Sequence, residues 1–248
     1  MVVWLGVGVC VKVNIIVLLR VDWVGWVVSR IRNERLPNYA RELFKNDIMS
    51  ARSECGDLPR LIVEYLIARY FERWGASITR TKIMKLLAAA LFINPDTREI
   101  DIHELAHCFK YRIYKYPVYS PVVNEAIKEL GRDGRITVRV RHRIDADVYV
   151  LVLIMRGDHW RGSREVLEDL RRGQYGGWES LIGRINRFVD EYGPLNAREL
   201  RDDIYGIFAI TPSIIESGHD LVDYLRDVRE ARETGKKVPE DGLYHFEL

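Results

Sequence analysis

The stretch from Arg98 to Val152 restricts the possible folds more than any other part of this 248-residue chain. Arg98 to Ile102 reads as a short strand, and a helix is expected from His103-Glu104-Leu105-Ala106-His107 onward. Ser120 can then accept from the free N–H groups of a second helix, with Pro121 at the first helical position, where a missing N–H costs nothing. Val122, Val123, Ala126, Ile127 and Leu130 recur at helical spacing as that helix's buried stripe. From Arg135 the period changes to two. Ile136, Val138 and Val140 point one way and Thr137, Arg139 and Arg141 the other, as on a half-buried strand. His142 to Asp147 makes the turn, and Val148 to Ile154 returns. This order of strand, helices and hairpin predicts an α+β fold: a winged helix-turn-helix within a mostly helical frame.

A helix-turn-helix needs an apolar residue beside a small one on its first short helix, because the neighbouring helix packs closely there. Leu105-Ala106 is such a pair, and Ile102 and Phe109 extend its face. Asn124, Glu125, Lys128 and Arg132 face outward from the second helix. Asn124 suits an adenine edge, and Lys128 suits guanine or a phosphate. Arg139, Arg141 and Arg143 would lay the hairpin along a phosphate backbone, with Lys110, Arg112, Lys115, Ser120 and Arg132 adding contacts. The local charge agrees: Lys110 to Arg143 holds nine Lys/Arg against three Asp/Glu. The segment Lys110 to Tyr119 is long for the turn of about three or four residues usual in this motif. Its tyrosines, Tyr111, Tyr114, Tyr116 and Tyr119, are best placed in the core, with a dimer contact or a base-stacking platform as alternatives.

The same residues spell H-E-x-x-H. On an α-helix this spacing puts two imidazoles one turn apart on one face, where they can hold zinc while the glutamate polarises a bound water. The alternative reading is therefore a zinc hydrolase with His103 and His107 as ligands, Glu104 as base and Glu125 as third ligand; His142 and His159 are further candidates. Zinc proteases set this motif inside a long helix, whereas here it opens one. The favoured reading carries no cofactor. No phosphate-binding glycine loop, dinucleotide fingerprint or nucleophile elbow is present.

Three cysteines, Cys10, Cys55 and Cys108, are widely spaced with no C-x-x-C pair, which argues against a disulfide framework and fits a reducing cytoplasm. A single glutamine and a large excess of arginine over lysine point to a high-temperature source. Met1 to Leu19 is apolar but interrupted by Lys12 and Asn14, so it reads better as a buried strand or hairpin than as a membrane span. A true start near Met49 is the other expectation, because convincing helix punctuation begins only at Asp57.

Asp57 with Pro59 opens a helix that Gly75 ends, and Leu61, Ile62, Tyr65, Leu66, Tyr70 and Trp74 give it a broad core face. Ser77 or Thr79 opens the next, from Arg80 to Phe92, with Lys82 and Lys85 on its polar side. After a break at Arg156-Gly157-Asp158, helices are expected at Ser163–Arg172, Glu179–Tyr192, Asn196–Tyr205 and Ser217–Ala231. Gly157 to Leu248 holds thirteen basic against nineteen acidic residues, which suggests a dimerisation or partner surface. The expected division is an N-terminal extension (1–56), a winged-helix domain (57–155) and a helical C-terminal domain (156–248).

Thr81-Lys82-Ile83-Met84-Lys85-Leu86-Leu87 and Tyr114-Lys115-Tyr116-Pro117-Val118-Tyr119-Ser120 carry a family likeness. It continues through Ile127 to Ile136, with Leu130 and Gly134, and through Val189 to Leu200 and Tyr205. Over Thr79 to Tyr205 the chain resembles the YwgA-like and Panacea-type proteins of prokaryotes, although their Gly-Pro-Tyr-Ser is broken here and Asp96 to Cys108 is longer. The resemblance implies regulation or binding, as in mobile-element and antitoxin-like proteins. Together the residues predict a cytoplasmic, homodimeric regulator that binds double-stranded DNA. A protein-interaction module of the same fold is the second expectation.

Overall fold

The computed structural model describes residues 38–114, 118–142, 150–211, 214 and 219–235. Residues 1–43 and 44–248 form two units. The expectations for Met1 to Leu19 lie outside the described residues. Helix α1 (Asn38–Cys55) carries Phe44 and Asp47, both buried in the larger unit, so a chain beginning at Met49 would lack two of its core groups.

Helix α2 (Leu58–Trp74) starts behind Asp57 with Pro59 in its first turn. It stops at Gly75, whose left-handed backbone (φ 61°) returns its N–H to the Phe71 carbonyl. The predicted face is core: Leu61, Ile62, Tyr65, Leu66 and Tyr70 are buried and Trp74 packs against them. Strand β1 (Ile78–Thr79) leads into α3 (Arg80–Phe92), capped by Thr79 Oγ1, which accepts the Lys82 N–H at 3.1 Å.

A six-residue 3-10 helix (Glu104–Phe109) and a clamped loop precede α4 (Pro121–Arg132). Strands β2 (Ile136–His142) and β3 (Val150–Arg156) follow. The sheet is antiparallel in the order β1-β3-β2, with Ile154 of β3 between Ile78 and Val138. Arg98 to Ile102 is not a strand; only Ile100 bridges, to Ile93. The Asn94 side chain accepts the Asp96 and Thr97 N–H groups, and Arg98 turns left-handed (φ 62°), so the segment is spent on a tight turn. Two residues of β1 supply the third strand instead.

Helices α5 (Ser163–Arg172), α6 (Trp178–Tyr192), α7 (Ala197–Phe208) and α8 (Leu221–Thr234) complete the described unit. None of the described helices is long and apolar enough to cross a membrane. The boundary expected at residue 156 is not a break in packing: residues 44–248 are one compact unit. Phe92 of α3 lies edge-on to both Tyr111 and Phe208, joining segments on either side of that boundary. The complementary charges of the two halves also meet internally. Asp190 of α6 accepts from Arg69 and Arg73 of α2, and Arg161 spans buried Glu64 of α2 and Asp169 of α5.

Lys82 and Lys85 lie on a covered face of α3, not on a polar one, because α6 and α7 pack there. Lys82 Nζ donates to the carbonyls of Gly193 (2.5 Å) and Leu195 (2.6 Å), serving the acceptors left open where α6 ends. Lys85 Nζ meets the Tyr205 hydroxyl at 3.0 Å and lies over its ring, and burial holds its amine well below the ordinary lysine range.

Candidate nucleic-acid interface and the His-Cys cluster

Ser120 caps α4 as expected, its oxygen accepting from the Val123 N–H at 3.0 Å while its hydroxyl donates to the Phe109 carbonyl. It is fully buried, so its role is structural. The predicted stripe of Val122, Val123, Ala126, Ile127 and Leu130 packs against α2 and the 3-10 helix. Leu105 and Ala106 are also buried. The N-terminal turn of α4, which would enter a groove in base reading, is covered. Asn124 is half-buried, and its side-chain oxygen accepts from Arg80 at 3.3 Å. Glu125 accepts from Lys128 and Arg132, each at 2.8 Å, and those two cations stay largely exposed.

Lys110 and Arg112 face inward more than their charge suggests. Lys110 adopts a left-handed conformation and reaches Glu54 at 3.3 Å. Arg112 forms a two-pronged pair with buried Asp47 (2.6 and 2.7 Å), and this pairing raises its already high pKa. Its backbone bridges both Tyr119 and Asp220, which explains how the long segment before α4 is held. Tyr111 and Tyr114 are core, as expected; Phe44 meets Tyr114 edge-on and Tyr119 at a tilt. Lys115, Tyr116 and Arg143 lie outside the described residues.

Along β2 burial fades with distance from the helices: Ile136 is 3 % exposed and Val138 already 41 %. The alternation predicts Val138 inside; instead it is exposed, with the end of α4 at Gly131 beside it. Arg139 is exposed and opposes Leu153 in register, and Arg141 opposes Leu151 two positions further along.

The H-E-x-x-H residues do not form the geometry their spacing suggests. His103 is an N-cap in extended conformation, its Nδ1 accepting from the Leu105 N–H at 3.2 Å, and the segment after it is 3-10 and not α. At about three residues per turn, positions four apart diverge by roughly 120°. His103 turns into the core, where burial and then Arg184 lower its pKa. His107 faces solvent. Glu104 lies over Gly177, which caps the start of α6 in a left-handed conformation (φ 71°). Among the described residues, His103, His107 and Glu125 do not converge.

The neutral form of His103 is the native one. The unfolded chain therefore takes up the extra proton as pH falls below about 6.5, and stability declines from there down to the folded-state pKa. His103→Asn, which can still cap the turn, is expected to flatten that acid limb in denaturation midpoints measured from neutral to mildly acid pH.

What the fold brings together instead is Cys55, His107 and Cys108, whose ligand-type atoms lie within 4.8 Å of one another. Cys55 ends α1 and Cys108 sits in the 3-10 helix. Their sulfurs are joined as a disulfide across 53 residues, with Cα atoms 5.8 Å apart. This corrects the expectation drawn from cysteine number and spacing. Sequence distance hid the pairing, and only the adjacency of His107 and Cys108 hinted at a cluster. His107 Nε2 lies 3.4 Å from Cys108 Sγ and 3.7 Å from Cys55 Sγ.

Comparison with known protein families, characterised proteins and solved structures finds no match to this chain.

Proposed function

We propose that this protein binds double-stranded DNA through its β2–β3 hairpin and the exposed end of α4, as a dimeric cytoplasmic regulator with a winged-helix framework. One observation carries the reading. The sheet has the order β1-β3-β2, and the strand that follows α4 forms its edge with Arg139 exposed. A cationic hairpin beside a helix suits phosphate contact. Arg139, Arg141 and Arg143, with Lys128 and Arg132, are the residues assigned to the backbone, and Lys115 extends the set. Lys110, Arg112 and Ser120 leave it, because their polar groups are committed to Glu54, Asp47 and the α4 cap. Base reading by Asn124 and Lys128 would require them to exchange Arg80 and Glu125 for base edges.

The test is duplex binding by fluorescence anisotropy across a salt series. Affinity is expected to weaken by about a hundredfold or more between roughly 50 and 200 mM salt, approaching about a thousandfold if all six assigned cations meet phosphate. Replacing Arg139, Arg141 and Arg143 together by alanine is expected to reduce the logarithmic salt slope by up to about three, with far-ultraviolet circular dichroism unchanged. Salt-insensitive binding, or a triple variant that binds like the parent, would falsify the proposal. A protein-interaction role has one supporting observation: Glu125 and Glu129 pair with Lys128, Arg132 and Arg52, which neutralises much of the outer face of α4. Under that reading the triple variant loses nothing.

A further inference from the structure

The geometry points to a redox-gated zinc site: with the Cys55–Cys108 disulfide reduced, the two thiolates and His107 Nε2 bind one divalent zinc. This does not depend on DNA binding. Three observations carry it. The first is the orientation of His107. Its Nδ1 lies 2.7 Å from the Glu104 carbonyl, which can only accept, so the tautomer that satisfies this contact carries its proton on Nδ1 and turns Nε2 to the sulfurs as the ligating nitrogen. A histidine whose outer nitrogen donates to a backbone carbonyl is the usual arrangement for a metal ligand.

The second is distance. A tetrahedral zinc with Zn–S of about 2.3 Å and Zn–N of about 2.0–2.1 Å sets its sulfur and nitrogen ligands roughly 3.5 Å apart. The Nε2–Sγ separations here are 3.4 and 3.7 Å. The imidazole thus already stands where a shared metal needs it, and only the sulfurs must part, to about 3.8 Å. The third is access. Both cysteines are buried, whereas His107 is exposed, so the cluster opens to solvent on one side, where water can take the fourth position. Glu54, next to Cys55 in sequence, is engaged by Ser50 (2.5 Å) and Lys110 (3.3 Å).

The chemistry balances in two steps. A dithiol reductant gives two electrons and two protons to the disulfide, yielding two cysteine thiols and the reductant's own cyclic disulfide. Zinc then displaces the two thiol protons and forms two Zn–S bonds and one Zn–N bond. In reverse, a small-molecule disulfide oxidant takes two electrons from the thiolates, the S–S bond re-forms and zinc leaves. In either state the end of α1 stays fastened to the 3-10 helix, so the seam changes its bond without being released.

The test uses the full chain, reduced anaerobically with a dithiol, desalted, and titrated with cobalt(II) as a spectroscopic stand-in for zinc. One cobalt per chain is expected, with sulfur-to-cobalt charge transfer and the intense visible bands of tetrahedral coordination, both abolished by zinc. The oxidised protein should show neither. A partner behind a metal ligand is worth roughly 10–100-fold in affinity, so losing the ligand in His107→Ala should cost at least about 100-fold in a chelator competition. His107 is exposed, so this variant is expected to keep its circular dichroism. His103→Ala and Cys10→Ser should keep the bands. A reduced protein without charge-transfer bands, bands undiminished in His107→Ala, or bands lost in Cys10→Ser would each overturn the assignment.

Discussion

Glu64→Ala is expected to lower stability by about 3 kcal/mol, the low end of the cost of removing one partner from a buried ion pair, because Arg161 keeps Asp169. Glu64 is 2 % exposed. Its carboxylate takes both ends of the Arg161 guanidinium, at 2.9 and 2.5 Å, and lies 4.0 Å from Arg135 Nε. That Arg135 nitrogen is itself buried without a hydrogen-bond partner among the described residues, so it too depends on the nearby carboxylate. Arg161 also holds Asp169, so one substitution loosens the contact of α2 with the segment after β3 and with α5. The expected loss corresponds to roughly 10 °C in midpoint for a chain of this size, read by thermal or urea denaturation. The double variant Glu64→Leu with Arg161→Met should recover much of it, because an apolar pair of similar volume strands no charge. A single variant within about 0.5 kcal/mol of the parent, the usual range for surface changes, would show that the pair is not buried in solution.

Cutting the chain after residue 155 should have a still larger effect: the fragment 1–155 is expected to show no cooperative unfolding transition. It would retain α1 to α4 and all but the last residue of the three strands, yet lose α5 to α8, which pack on them. Tyr65 and Arg69 would lose Asn186, and Trp74 would lose the Val189 carbonyl. Lys82 and Lys85 would be left on an opened face without the Gly193 and Leu195 carbonyls or Tyr205. Phe92 would lose Phe208. Near-ultraviolet circular dichroism and a denaturant titration of the fragment check this. A sharp transition with native-like aromatic signals would restore the two-domain division.

Elements whose causes are local can be read directly from the residues. Thr79, Ser120 and Asn196 each close a helix start with a side-chain oxygen one turn away, and Gly75 ends a helix by its own backbone freedom. The apolar face of α2, the buried stripe of α4 and the strand pair after it were equally legible, because side-chain periodicity follows directly from the backbone repeat.

Most of the rest waits on packing, and those misreadings share a cause: a partner distant in sequence. Lys82 and Lys85 look like a polar helix side until α6 and α7 arrive with carbonyls and a tyrosine to receive them. Arg112 looks like a phosphate ligand until Asp47, 65 residues away, claims its guanidinium. His103 and His107 are the local exception: they have metal spacing only if the segment is α-helical, and capping by His103 with a 3-10 turn separates them. Cys55 and Cys108 look unrelated until the end of α1 meets that same turn and brings His107 against both sulfurs. Periodicity and capping are properties of a few neighbouring residues. The state of a cation, an imidazole or a thiol depends on whichever atoms stand opposite it, and those are set only when the helices pack.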